Sequence, residues 1–239
     1  MKTLTLVLLS LFIFNIAGAQ SDSIAKKPSD YKTLFKTSDK KIAVTGFGAI
    51  NIDFGHTDNN LRVLPGLDLA ALFNHSFFVG FYGRMMATSP SYDYTYYNKE
   101  DRKNIAVSQN ALFGHGGLLV GGIFYANNPI HFGISGRFGF GGVALYDNYD
   151  YDKYNKDDYY YNDYPYSEPV FVFSPQADFE MNITNWFKFR LSAGYQYVSS
   201  YSVKYSTIEN KKIVEKELLN TSSFSTPTVT LGLVFGWFR

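Results

Sequence analysis

The chain has 239 residues, carries 22 Lys and Arg against 21 Asp and Glu, and contains no cysteine. This balance gives no electrostatic reason to expect nucleic acid as a partner. The missing thiols exclude disulfides, zinc–thiolate centres and a lipid-modified N-terminal Cys. Aromatic residues make up 18% of the chain, with 20 Tyr and 22 Phe beside 20 Gly, a mixture that favours strands over helices.

Residues 1–19 read as a secretory signal peptide: Lys2, an apolar run from Leu4 to Ile16, then Ala17-Gly18-Ala19. The run is shorter than the ~20 apolar residues that a membrane-spanning helix needs. Cleavage removes one of the 22 basic residues and no acid, which leaves 21 of each sign. Residues 20–41 are polar, lysine-rich and aperiodic, and read as a flexible periplasmic tail. From Ile42 onward apolar and polar residues alternate with period 2 in eight segments, at 42–54, 62–73, 75–86, 112–125, 130–144, 170–181, 186–198 and 227–238. The clearest is 186–198, with Phe187, Phe189, Leu191, Tyr195 and Tyr197 on one face and Lys188, Arg190, Ser192 and Gln196 on the other. No helix gives that repeat.

The connections alternate in length. Asn74-His75, Asn127-Asn128-Pro129 and Asn182–Asn185 are short and rich in turn formers. The others are 55–61, 87–111, 145–169 and 199–226, the last three of them long and polar. With aromatic faces opposite charged ones, this predicts an all-β fold: an eight-stranded antiparallel up-and-down transmembrane β-barrel over 42–239, with short periplasmic turns and long external loops. A soluble lipocalin-like barrel or jelly roll would place its apolar faces inside instead.

The stretches Val44–Ala49, Leu64–Ala70 and Phe73–Gly83, then His131–Gly142, Phe171–Phe179 and Met181–Val198, resemble the strands of a family of small, uncharacterised, porin-like Gram-negative outer-membrane β-barrels. The resemblance spans 42–238 apart from the long loops and implies eight strands without implying an activity. Trp237-Phe238 is similar to the aromatic-ended strand that such barrels offer to the barrel-assembly machinery, although Arg239 follows here. It implies export to the outer membrane and outer-membrane lipid as the surrounding partner.

Sorting charges by facing puts Asp53, Asp68, Arg84, Arg137, Asp178, Glu180, Lys188 and Arg190 on the lumenal side. An eight-stranded lumen is only wide enough for side chains to fill it, so these are expected to pair and plug it. The hairpin around Asn182–Asn185 is expected to bring Asp178 and Glu180 against Lys188 and Arg190, with Arg84 and Arg137 reaching the same acids.

Externally, Tyr149, Tyr151, Tyr154, Asp157, Asp158, Tyr159, Tyr160 and Tyr161 form a Tyr/Asp-rich loop, with a second patch at Tyr92–Tyr97. Aromatic platforms beside carboxylates suit an extracellular ligand. No EF-hand spacing, metal-ligand spacing of the four His, Gly-x-Ser-x-Gly or His-Glu-x-x-His occurs, so neither a metal nor another cofactor is expected. The leading expectation is a non-enzymatic structural or surface-binding barrel. A narrow channel for small solutes or ions comes second. A lipid-modifying enzyme comes third, with His56 as the only histidine at the outer rim.

Overall fold

The computed structural model describes residues 42–238 apart from 59, 99–101, 148–165, 200 and 211. Eleven strands appear: β1 Val44–Thr57, β2 Asn60–Phe73, β3 Phe77–Met85, β4 Ser91–Asn98, β5 Lys103–Phe124, β6 Ile130–Asp147, β7 Tyr166–Asn182, β8 Phe187–Val198, β9 Ser202–Glu209, β10 Lys212–Asn220 and β11 Thr226–Gly236. A single helical turn, α1 (Thr221–Phe224), precedes β11.

Eight of these strands close a cylinder. The antiparallel order is β3-β2-β1-β11-β8-β7-β6-β5, and β3 then pairs with β5, Phe77 opposite Gly122 through Met85 opposite Gly114. The first and last strands meet with Ile50 against Leu233 and Asp53 against Thr230. Closure satisfies the wall's backbone groups without leaving an edge, which a lipid environment requires.

The short connections are built as their residues demand. Asn74 and His75 both have positive φ, 49° and 56°, and Ser76 N donates to Phe73 O at 3.0 Å. Asn74 and His75 are thus the central residues of a tight turn within a three-residue connection, Phe73 pairing with Phe77, and Asn tolerates the left-handed region better than most residues. Three connections differ from the sequence reading. The β1–β2 ladder runs on to Thr57 opposite Asn60, so 55–61 contains a tight turn and no loop. The 87–111 stretch holds β4, which pairs with the outer half of the 22-residue β5. The 199–226 stretch holds the β9–β10 hairpin and α1. In all three, local cross-strand pairing satisfies backbone groups that an open loop would leave to water.

The wall is apolar outside and polar inside. Leu67, Leu69, Phe81, Phe132, Ile134 and Phe140 lie exposed on the outer surface, while Asp53, Arg137, Glu180, Lys188 and Arg190 are buried. A soluble barrel has the reverse arrangement, and this inversion identifies a lipid-facing wall. Aromatic residues gather near the short-turn rim, where Trp186 and Phe187 stack against Phe235 with centroids 6.1 and 5.1 Å away. Their rings suit a membrane–water boundary.

Replacing Leu191, midway along β8 on the outer face, by Arg is expected to lower folding stability by about 2–4 kcal/mol. Ser192 faces inward, is 1% exposed, and its hydroxyl has no partner among the described residues. Ser192→Ala is therefore expected to cost less than about 1 kcal/mol. Urea unfolding of both variants in lipid vesicles reads the difference, and equal losses would reverse the facing.

Candidate functional site: a closed lumen

The lumenal charges are organised around two acids. Asp53, on β1, accepts from Arg84 Nε at 3.2 Å and from Arg137 Nη1 at 2.6 Å through Oδ2, and from the Thr230 hydroxyl at 2.8 Å through Oδ1. Arg84 also donates from Nη1 to Asp68 Oδ1 at 2.7 Å. Gly66 makes that crossing feasible, because a Cβ there would sit 2.5 Å from Arg84 Cδ and 2.9 Å from its Nη1.

Nearer the short-turn rim, Glu180 accepts from Arg190 Nε at 2.7 Å and Nη2 at 2.6 Å through Oε1. Its other oxygen lies 2.9 Å from His131 Nε2 and 3.4 Å from Lys188 Nζ. Arg190 Nη1, 3.9 Å from Asp68 Oδ2, joins the two groups. All these side chains are at most 5% exposed. Packed charge-assisted bonds of this kind hold their geometry tightly.

The pairing differs from the sequence expectation in two respects. Glu180 alone meets Arg190 across the β7–β8 hairpin, while Asp178 lies opposite Ser192 and its Oδ1 lacks a hydrogen bond among the described residues. Arg84 and Arg137 turn to Asp53 and Asp68 rather than to the β7 acids. Tyr82, on β3, sits opposite Asp68, which brings Arg84 within reach of the β2 acid next door.

Sequence reasoning also passed over four lumenal residues. His131 completes the Glu180 cluster, and His115 Nδ1 lies 3.1 Å from the Tyr82 hydroxyl. The guanidinium groups of Arg84 and Arg137 lie 5.9 and 5.7 Å from the Tyr82 ring. Arg62, 1% exposed, lies at the margin of β2, where alternation begins, and nothing in its immediate sequence signals a buried cation.

Arg62 leads to the second closure. Its Nη1 donates to Phe224 O at 2.9 Å, and its guanidinium sits 5.7 and 5.9 Å from the Phe113 and Phe224 rings. Gln196 Nε2 donates to the same carbonyl at 3.1 Å. Phe224 is fully buried, 4.8 Å from Phe113 by ring centroid, amid Leu64, Val143, Val172 and Val198. Asn220 caps α1, its Oδ1 accepting from Ser222 N at 2.9 Å, and so fixes the turn that drives Phe224 inward. Phe224, carried inward by α1, thus stops the end of the lumen away from the short turns.

Outside the barrel, β4 and β9 lie together, with Tyr94 and Tyr205 at 4.8 Å between ring centroids. The Tyr92 hydroxyl donates to Asp58 Oδ2 at 2.7 Å. Partial burial and this carboxylate together push the Tyr92 phenol well above its ordinary range. His56 is exposed. The Tyr/Asp-rich residues Tyr149, Tyr151, Tyr154, Asp157, Asp158, Tyr159, Tyr160 and Tyr161 lie outside the described residues, as do the signal peptide and tail. Among the described residues, no three His, Asp or Glu side chains cluster as a metal site would need.

No family model matches the chain, and no curated protein matches it. Solved structures similar to it include Neisserial surface protein A, with a TM-score of 0.42 and 7% identity over 82% of this chain and 99% of that one. Another is the attachment invasion locus protein Ail of Yersinia pestis in complex with the heparin analogue sucrose octasulfate, at 0.42 and 11% over 81% and 97%. A third is a major outer membrane protein from Thermus thermophilus, at 0.41 and 9% over 80% and 98%. On its own closed wall, outward apolar face and charged interior, the chain is an eight-stranded β-barrel of the outer-membrane type.

Proposed function

We propose that the protein is a non-conducting, non-enzymatic barrel of a Gram-negative outer membrane, and that its work is done by the surface it holds outside. The observation that carries this reading is the double closure of the lumen, by the Asp53/Asp68/Glu180 network and by Phe224 beyond it. A path for ions would have to break buried, mutually bonded charges, which costs several kcal/mol per ion. The short-turn rim faces the periplasm, and the hairpins β4–β5 and β9–β10 face out. Tyrosines on β4 and the Tyr/Asp-rich segment from Tyr149 to Tyr161 supply aromatic faces beside carboxylates, the chemistry of adaptable surface recognition.

In planar bilayers, the wild-type barrel is expected to show no steady conductance above the bare membrane. A large, steady current would promote the channel reading. Deleting 149–161 is expected to leave the barrel folded and heat-modifiable on gels while abolishing capture of its extracellular ligand by whole cells. Undiminished capture would move recognition to another part of the surface.

A further inference from the structure

The outward face of the wall carries an open groove of about 700 Å³ across β5, β6, β7 and β8. Its floor follows one row of cross-strand partners: Phe77, Gly122, Ile134, Ala177 and Ala193. Gly136 and Pro175, paired in the next row toward the outer rim, widen it. Aromatic pairs flank these rows on both sides. Phe132 meets Phe179 at 5.5 Å between ring centroids, and Phe138 stacks on Phe173 at 4.7 Å. Elsewhere the wall projects large side chains such as Leu67, Leu69 and Phe140, so this trough between two ridges is a local departure.

The trough is continuous with the lipid-facing wall, so hydrocarbon rather than water borders it. Left empty, it would forfeit dispersion contacts along its whole lining. A second copy of the chain fills it poorly. A two-fold contact sets one patch against itself, and trough against trough leaves a void. Its course fits a lipid tail instead. It begins beside Phe124 at the short-turn rim, where Tyr125, 78% exposed, marks the headgroup level. Four strand spacings of about 4.8 Å carry it about 19 Å to Ala193. With strands tilted by about 40°, that is a climb of about 12 Å, within the ~15 Å depth of one leaflet. At about 30 Å³ per water-sized group, the volume holds roughly twenty carbons, one long chain rather than two. We propose that the groove retains a single acyl chain of a phospholipid from the leaflet on the short-turn side.

Native mass spectrometry of the barrel in mild detergent reads the site, with dimyristoyl phosphatidylethanolamine as the probe. Wild type is expected to retain one lipid per barrel and to saturate there. The single-chain lyso form should be retained as well, because the groove takes one chain. Ala177→Phe fills the floor and should lower retention at least about fivefold. Gly122→Leu should act alike, since an added Cβ there meets only Ser76 O, at 3.7 Å. Both new side chains point into hydrocarbon, so both variants should keep the heat-dependent gel shift of a folded barrel. Ile50→Phe, exposed on β1 across the barrel, should leave retention unchanged. Adducts that grow without saturating at one, undiminished retention in the filled variants, or an equal loss in Ile50→Phe would overturn the proposal. Dimers that vanish in Ala177→Phe would overturn it too, by making this face a contact between copies.

Discussion

Asp53→Asn is expected to lower the folding stability of the barrel by about 3–5 kcal/mol, the scale on which stripping one member from a buried ion pair acts. Two guanidinium groups converge on this carboxylate, and the substitution affects them unequally. Arg84 keeps Asp68 at 2.7 Å, whereas Arg137 loses the acid that meets it at 2.6 Å. The stranded Arg137, 2% exposed, carries most of the loss. Adding Arg137→Met should therefore recover much of it, since removing both partners leaves no unpaired charge. A denaturant series in lipid vesicles on wild type, both single variants and the double variant measures the coupling directly. Additive losses would mean that the two residues do not stabilise the fold as a pair.

Phe224→Ala is expected to cost about 3–5 kcal/mol, the range for truncating a fully buried aromatic. The loss combines the emptied space against Phe113 with exposure of Arg62, whose charge lies beside both rings. The two closures act in series, so this variant alone should conduct no better than wild type. A cysteine placed at His115, beneath Phe224, should become reactive to a membrane-impermeant thiol reagent only when Phe224 is truncated. Current through Phe224→Ala alone would show that the ion-pair layer does not seal the lumen.

Most of the wall was legible because a membrane barrel enforces period 2 along every strand, and a lapse places a charge in lipid. That rule found all eight staves and set Asp53, Asp68, Arg84, Arg137, Asp178, Glu180, Lys188 and Arg190 on the inner face. It could not pair them, because partners inside a cylinder depend on which strands lie across from each other. Asp178 and Glu180 look equivalent in sequence, yet only Glu180 falls opposite Arg190. Beyond the membrane the rule lapses. The alternation Tyr92-Asp93-Tyr94-Thr95-Tyr96 belongs to a strand that pairs only with the outer part of β5 and alternates aromatic with polar residues rather than apolar with polar, so it reads as a loop. Phe224 lies in Ser-Ser-Phe-Ser, where no repeat marks it. Its role depends on the Asn220 cap and on a tertiary contact with Arg62, 162 positions away.

The joint between β1 and β11 sets the order in which the interior can be completed. Thr230 reaches Asp53 across 177 positions of chain, and Arg137 reaches it across 84. Most other wall ladders join sequence neighbours, but this one cannot exist until the last strand has arrived, and bringing distant segments together is the slow part of folding. A chain that stops short of β11 leaves an open cylinder, a lumenal acid deprived of its hydroxyl partner, and two unpaired strand edges facing hydrocarbon that offers no water in compensation. The polar interior thereby depends on the last strand to arrive: with β11 seated, the same joint that shuts the wall also supplies the third bond to Asp53.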